Sequence, residues 1–229
     1  MHIVAAQSWE KITREELKEL SKEITSSNSK NGCMHFVYTT YNYSRKGQPV
    51  SKMHARQCIH NDTRVTDVEG VGLDFTNSHL SIHVDSINKV LDVGYNHSYS
   101  EQSIQSSETI NKLLESTDLV KIKRIEKKVR FIEVVNADQS GVEKYQIELQ
   151  KNYLIEKLII FYAESEQKLY GNQSTYSKPI IEVEFNRSDG SDLSRMTDVT
   201  FFLKEGRSEL LPSSNYPDYT VEDNRVIIE

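Results

Sequence analysis

Hydrophobic residues alternate with polar ones at a period of two along most of this chain, the pattern of half-buried β-strands. Met34, Phe36 and Tyr38 share one strand face, and Val50 to Ile59 reads as the return strand after a turn at Arg45-Lys46-Gly47-Gln48. Centring that turn between Lys46 and Gly47 sets Tyr38 opposite Ala55, Thr40 opposite Met53 and Met34 opposite Ile59. This register gathers the apolar residues of both strands on one side, and a one-residue slip would undo it. Val71, Leu73 and Phe75 then alternate with Gly72 and Asp74, and Leu80, Ile82 and Val84 with His79, Ser81, His83 and Asp85. Lys89 to Val93 is a further short strand. Later strands are expected over Val129–Val135, Tyr145–Leu149, Leu154–Tyr162, Ile181–Phe185 and Val199–Leu203. A polar, exposed loop is expected from Ser165 to Lys178, and Ser188-Asp189-Gly190-Ser191 has the composition of a hairpin turn.

Two stretches break this period. Thr13-Arg14-Glu15-Glu16 is a capping box, with Ile12 and Leu17 at the flanking staple positions, and Leu17, Leu20 and Ile24 follow as one narrow helical stripe. This helix should end in the polar run Ser26 to Gly32. A second short helix fits Ser107 to Glu115, carrying Ile110, Leu113 and Leu114. Two narrow helices can cover only part of the apolar side of so many strands. The remainder must be closed by curling, by a partner or by a ligand.

The order of elements resembles the bacterial outer-membrane lipoprotein carriers and receptors, the LolA/LolB-like superfamily. The likeness runs through the capped N-terminal helix, the hairpin Met34 to Ile59, Leu73-Asp74-Phe75, the turn Thr76-Asn77-Ser78 and the strand His79 to Asp85. It continues through the mid-chain helix and the pair Tyr145-Gln146-Ile147-Glu148-Leu149 with Leu154-Ile155-Glu156-Lys157-Leu158. The resemblance implies a mainly β (α+β) fold: a curved, unclosed antiparallel sheet, or half-barrel, with an N-terminal and a mid-chain helix on its concave face. Arg56 or Arg64 would stand where the carriers latch their helices with an arginine. No lipid-attachment cysteine sits at the N-terminus, where a receptor of that family carries one.

Bulk properties narrow the partners. A net charge of −6 argues against nucleic acid, which needs clustered Lys and Arg. The basic stretch Lys121, Lys123, Arg124, Lys127, Lys128 is interleaved with Ile122 and Ile125 and reads as a solvated face. No apolar run approaches the ~20 residues of a membrane helix. The start, Met1 to Gln7, is too short for a signal peptide, although Val4-Ala5-Ala6 has the small-residue character of a cleavage site. One domain over residues 1–229 is expected, with 1–12 loosely ordered.

Candidate chemistry is sparse. In the expected register Cys33 faces His60 and His35 faces Cys58, all on the face opposite Phe36 and Tyr38. The reading that leads is unlinked packing or surface residues; a Cys33–Cys58 disulfide comes second and a Cys33, His35, Cys58, His60 zinc site third. His83 with Asp85, and His79 nearby, read as a solvated strand face. The tyrosines Tyr38, Tyr41, Tyr43, Tyr95 and Tyr99 fit sheet packing. No nucleophile elbow, phosphate-cradling loop or metalloprotease motif is present, and no cofactor is implied. The expectation is a non-enzymatic periplasmic or cell-envelope binding protein, although nothing in the residues rules out the cytoplasm. Its concave apolar site, lined by Met34, Phe36, Tyr38, Met53 and Ile59, would take a lipid or lipoprotein acyl chain. The alternative is a structural or interaction protein of an envelope or secretion assembly, presenting the same sheet to a protein partner.

Overall fold

The computed structural model describes residues 8–28, 32–42, 47–96, 120–135, 141–168, 174–188, 191–207 and 209–225. The expected mid-chain helix Ser107–Glu115 lies outside them, as do the centres of the turns at Arg45-Lys46 and Asp189-Gly190. Contacts divide the chain into two units. One comprises Met1–Lys30, Val37–Lys52 and Ile104–Phe185; the other comprises Asn31–Phe36, Met53–Ser103 and Asn186–Glu229.

The class is mainly β, with one substantial helix among the described residues, α1 (Arg14–Asn28). The strands of the first half are β1 (Glu10–Lys11), β2 (Gly32–Tyr41), β3 (Ser51–His60), β4 (Thr63–Val68), β5 (Gly72–Thr76), β6 (Leu80–Asp85) and β7 (Val90–Tyr95). Those of the second half are β8 (Val120–Ile125), β9 (Lys128–Val135), β10 (Val142–Leu149), β11 (Ile155–Tyr162), β12 (Ser165–Lys168), β13 (Ser174–Ser177) and β14 (Ile180–Ser188). The C-terminal stretch carries α2 (Ser191–Ser194), two 3-10 turns, β15 (Leu203–Glu205), β16 (Leu210–Pro212) and β17 (Thr220–Asp223). Hydrogen-bonded neighbours run in the order β1-β8-β9-β10-β11-β14-β2-β3-β4-β5-β6-β7-β17, and among the described residues the two ends do not pair. The pairings described are antiparallel except β7 with β17.

In the first unit, Ile122, Ile132, Ile147, Leu158 and Val183 stand in register across β8, β9, β10, β11 and β14. The first three are almost wholly buried, as are Leu20 and Ile24 of α1. The tight β8–β9 turn places Glu126 and Lys127 at φ of 52° and 67°. Two successive positive φ values suit the twist of a two-residue hairpin. The alternate face of this sheet carries Glu133, buried, which accepts hydrogen bonds from Lys144 (3.2 Å) and Gln146 (2.9 Å). Burial opposes the Glu133 charge, but these two donors outweigh it and hold the carboxyl below its usual range.

In the second unit, Cys58, Val65, Phe75, Ile82 and Val93 form one cross-strand row from β3 to β7, each at most 1% exposed. The adjacent residues along each strand point the other way and give the polar row Gln57, Thr66, Asp74, His83, Asp92. The apolar row is covered by the chain's own C-terminal stretch. Leu193, Phe202 and Leu203 are buried in the same core, with Met196, Val199, Phe201, Leu210, Tyr216 and Tyr219 packed against it. Phe202 lies 5.3 Å from Phe75 and stacks on Tyr216 at 5.7 Å.

This corrects two expectations. Val199–Leu203 is not one strand: Val199–Phe201 is a 3-10 turn, and only Leu203–Glu205 is extended. The Asp198 side chain accepts the Thr200 amide at 2.9 Å, so a local side-chain turn overrides the apolar alternation. The expected polar loop from Ser165 to Lys178 contains a hairpin, β12 with β13, and its Ser177 is buried.

Candidate functional site

Helix α1 is held at both ends, and the space alongside its middle is the candidate site. At the start, the Thr13 amide donates to the Glu16 carboxylate (3.2 Å), and the Glu16 amide donates to the Thr13 hydroxyl (3.3 Å). Arg124 on β8 then reaches both Glu10 and Glu16, the latter at 3.4 Å. At the end, the Asn28 amide group donates to the carbonyls of Ile24 (2.7 Å) and Tyr153 (3.0 Å). Its oxygen accepts the Ile155 amide at 3.1 Å, and the Ser27 hydroxyl donates to the Asn152 carbonyl at 2.8 Å. The helix is thus tied to β8 at one end and to the β10–β11 turn at the other.

Between these ties lies a groove of about 610 Å³, within the ~300–1,000 Å³ typical of small-molecule sites. Ile12, Leu20, Val129 and Tyr153 supply its apolar lining. Its charged lining balances: Glu16, Glu19 and Glu23 against Lys22, Arg124 and Lys127. Charged residues outnumber apolar ones along this groove. None of its residues was singled out from the sequence as a ligand site. The signal available was the basic stretch containing Arg124 and Lys127, read as a solvated face.

The residues expected to line an apolar site are placed as follows. Met34 and Phe36 on β2, and Met53 and Ile59 on β3, alternate with Cys33, His35, His54 and Cys58 along their strands. They therefore lie on the face opposite the covered core. Phe36 is buried; Met34, Met53 and Ile59 are half-buried. Beyond β3 this face turns polar, because Ile59 is opposite Arg64 and Gln57 is opposite Thr66. Tyr38 belongs to the other unit and is half-buried, and burial pushes its phenol up.

Cys33 and Cys58 form a disulfide, with Cα atoms 4.1 Å apart. Cys33 therefore lies across from Cys58 and not from His60, so the expected hairpin register is wrong here by two residues. A shift of two keeps each residue on its face but changes its partner. It also removes the four-ligand zinc arrangement: both sulfurs are bonded to each other, and His35 meets His54. The rings of His35 and His54 are 7° from parallel, with Nε2 of His35 and Nδ1 of His54 3.1 Å apart. Among the described residues, no three His, Cys, Asp or Glu side chains are placed to share a metal ion. His83 is engaged by Asp74 at 2.7 Å, while Asp85 accepts the amides of Ile87 and Asn88 within its own turn. Arg56 pairs with Asp67 across β3–β4 (3.1 Å), and Arg124 is the arginine that ties the helix.

No family model and no curated protein matches this chain. Solved structures do. LprF from Mycobacterium bovis matches at 8% identity over 75% of this chain and 92% of its own, with a TM-score of 0.37. A domain described as an outer membrane lipoprotein-sorting protein, from Vibrio parahaemolyticus, matches at 10% identity over 81% and 100%, with a TM-score of 0.29. A DUF1329 family protein from Desulfovibrio piger matches at 7% identity over 80% and 98%, also with a TM-score of 0.29.

Proposed function

We propose that this chain is a non-enzymatic binding protein of the periplasm or cell envelope that holds a lipid-like ligand, its acyl chain in the groove beside α1. The observation that carries this reading is the groove itself, lined by Ile12, Leu20, Val129 and Tyr153 together with charges of both signs, between a doubly tied helix and the sheet. The Cys33–Cys58 disulfide supports the compartment, since such bonds persist where the surroundings are oxidising. The half-buried strip of Met34, Met53 and Ile59, beside the buried Phe36, is a second apolar surface for the same class of ligand.

Burying about ten methylenes yields roughly 8 kcal/mol at ~0.8 per CH₂. Association costs at least ~4 kcal/mol of that. The remainder corresponds to binding around the millimolar range, tightened where the charged rim engages a head group. Weak, non-directional binding suits a carrier that must release its cargo.

The test is displacement of an environment-sensitive fluorescent fatty acid. Ile12→Asp probes the groove and Met53→Asp the strip, with circular dichroism confirming that each variant is folded. Saturable binding lost in folded Ile12→Asp supports the groove. Loss only in Met53→Asp moves the site to the strip. No saturable binding, together with self-association or capture of a protein partner, overturns the carrier reading in favour of an interaction protein.

A further inference from the structure

The His35–His54 pair has a geometry that the fold does not need. Both side chains are half-buried on the disulfide-bearing face of β2 and β3, in the same unit. Their rings are nearly parallel, with centroids 5.2 Å apart and two nitrogens 3.1 Å apart. One nitrogen donates its proton to the other's lone pair. The Cys33–Cys58 bond, two residues from His35 and four from His54, fixes the strands that carry them. The pair is therefore presented on a cross-linked ladder and does not depend on a mobile loop.

We propose that His35 and His54 form a two-point chelate for a divalent first-row metal ion of the copper or nickel type. Imidazole nitrogen sits ~2.1 Å from such an ion. With the nitrogens 3.1 Å apart, an ion at that distance from both subtends an angle of about 95°. That is a cis angle of square-planar or tetragonal coordination, which copper(II) and nickel(II) favour over the wider angles of tetrahedral zinc. Each ring turns about its Cβ–Cγ bond to aim its lone pair at the ion, and keeps its one proton on the far nitrogen. The shared hydrogen bond gives way to two metal bonds. Water fills the other positions, as the half-exposed setting allows.

The experiment is calorimetric titration of the untagged, disulfide-intact protein with Cu²⁺ and with Ni²⁺ near neutral pH, with electron paramagnetic resonance of the Cu²⁺ sample. His35→Gln and His54→Gln are measured alongside; glutamine keeps a hydrogen-bonding side chain, and thermal unfolding shows whether each variant is folded. One ion per chain is expected, with nitrogen hyperfine structure from two imidazoles. Losing one arm of the chelate should weaken binding on the order of 100-fold. Unchanged affinity in the folded variants would place the ion on other histidines and overturn the proposal. So would the absence of one-to-one binding by the native chain. Should both variants unfold, the resonance spectrum of the native protein still decides, because fewer than two coordinated imidazoles overturns it.

Discussion

Asn28, the last residue of α1, reaches the β10–β11 turn and the start of β11, accepting the Ile155 amide while donating to the Tyr153 carbonyl. One side chain therefore closes the end of the helix and fixes its distance from the sheet. Ile155 is buried, so its amide has no ready replacement in water. Asn28→Ala should destabilise the protein by about 1–3 kcal/mol, read as a lower midpoint in chemical denaturation. An unchanged midpoint would mean that the helix is held from its other end alone.

Thr13→Ala removes the capping hydroxyl at the opposite end of the helix and should cost about 1 kcal/mol. The Thr13 amide, then its hydroxyl, hold the Glu16 carboxyl below its ordinary value of 4.5, and Arg124 adds to this. A carboxyl depressed in the folded state stabilises above its unfolded pKa and loses that contribution as pH falls through the lower folded value. The effect should therefore appear on acidification below about pH 4.5. Glu16→Gln should flatten that part of the stability curve and leave the neutral part nearly parallel to it.

Reducing the Cys33–Cys58 bond releases a loop with a sequence separation of 25. A loop of this length corresponds to about 3 kcal/mol in the chain-entropy account. Denaturation with and without reductant should show a loss of this order. A thiol count in denaturant should find no free thiol until reductant is added. Two free thiols in the native, unreduced protein would contradict the pairing.

The C-terminal stretch should behave as core. Phe202 is fully buried between Phe75 and Tyr216, so Phe202→Ala should cost about 3–5 kcal/mol. Burial pushes the Tyr216 phenol up to about 12, with Tyr219 and Asp67 adding to it. A group raised in the folded state gives stability that is whole below its unfolded pKa and declines as pH rises through the folded value. The protein should weaken between about pH 10 and 12, and Tyr216→Phe should weaken less over that window. Equal alkaline sensitivity in both would place the titrating group elsewhere.

Much of the scaffold was legible because it rests on local rules. The capping box of Thr13 and Glu16 and the strands Leu80–Asp85 and Tyr145–Leu149 follow from short-range chemistry or a period of two, while the pairing of Tyr145–Leu149 with Leu154–Leu158 came from the resemblance in element order. The β2–β3 register was less legible, because a shift of two residues preserves every face and so leaves the hydrophobic pattern unchanged. That shift exchanged His60 for Cys58 opposite Cys33, and it left His54 diagonal to His35 across the two strands, within reach of its ring.

The sequence by itself determined the class, the start of α1 and which residues of each strand share a face. Those properties depend on residues a few positions apart, where backbone geometry leaves little choice. Only the tertiary structure decided which face is covered and by what. Phe202 comes to Phe75 from more than a hundred residues away, and Arg124 comes to Glu16 across a comparable span. Hydrophobic burial is non-directional, so a sequence states that such residues need partners without naming them. The groove beside α1 is equally a tertiary product. Its lining is gathered by the ties at Arg124 and Asn28, which hold the helix to β8 at one end and to the β10–β11 turn at the other.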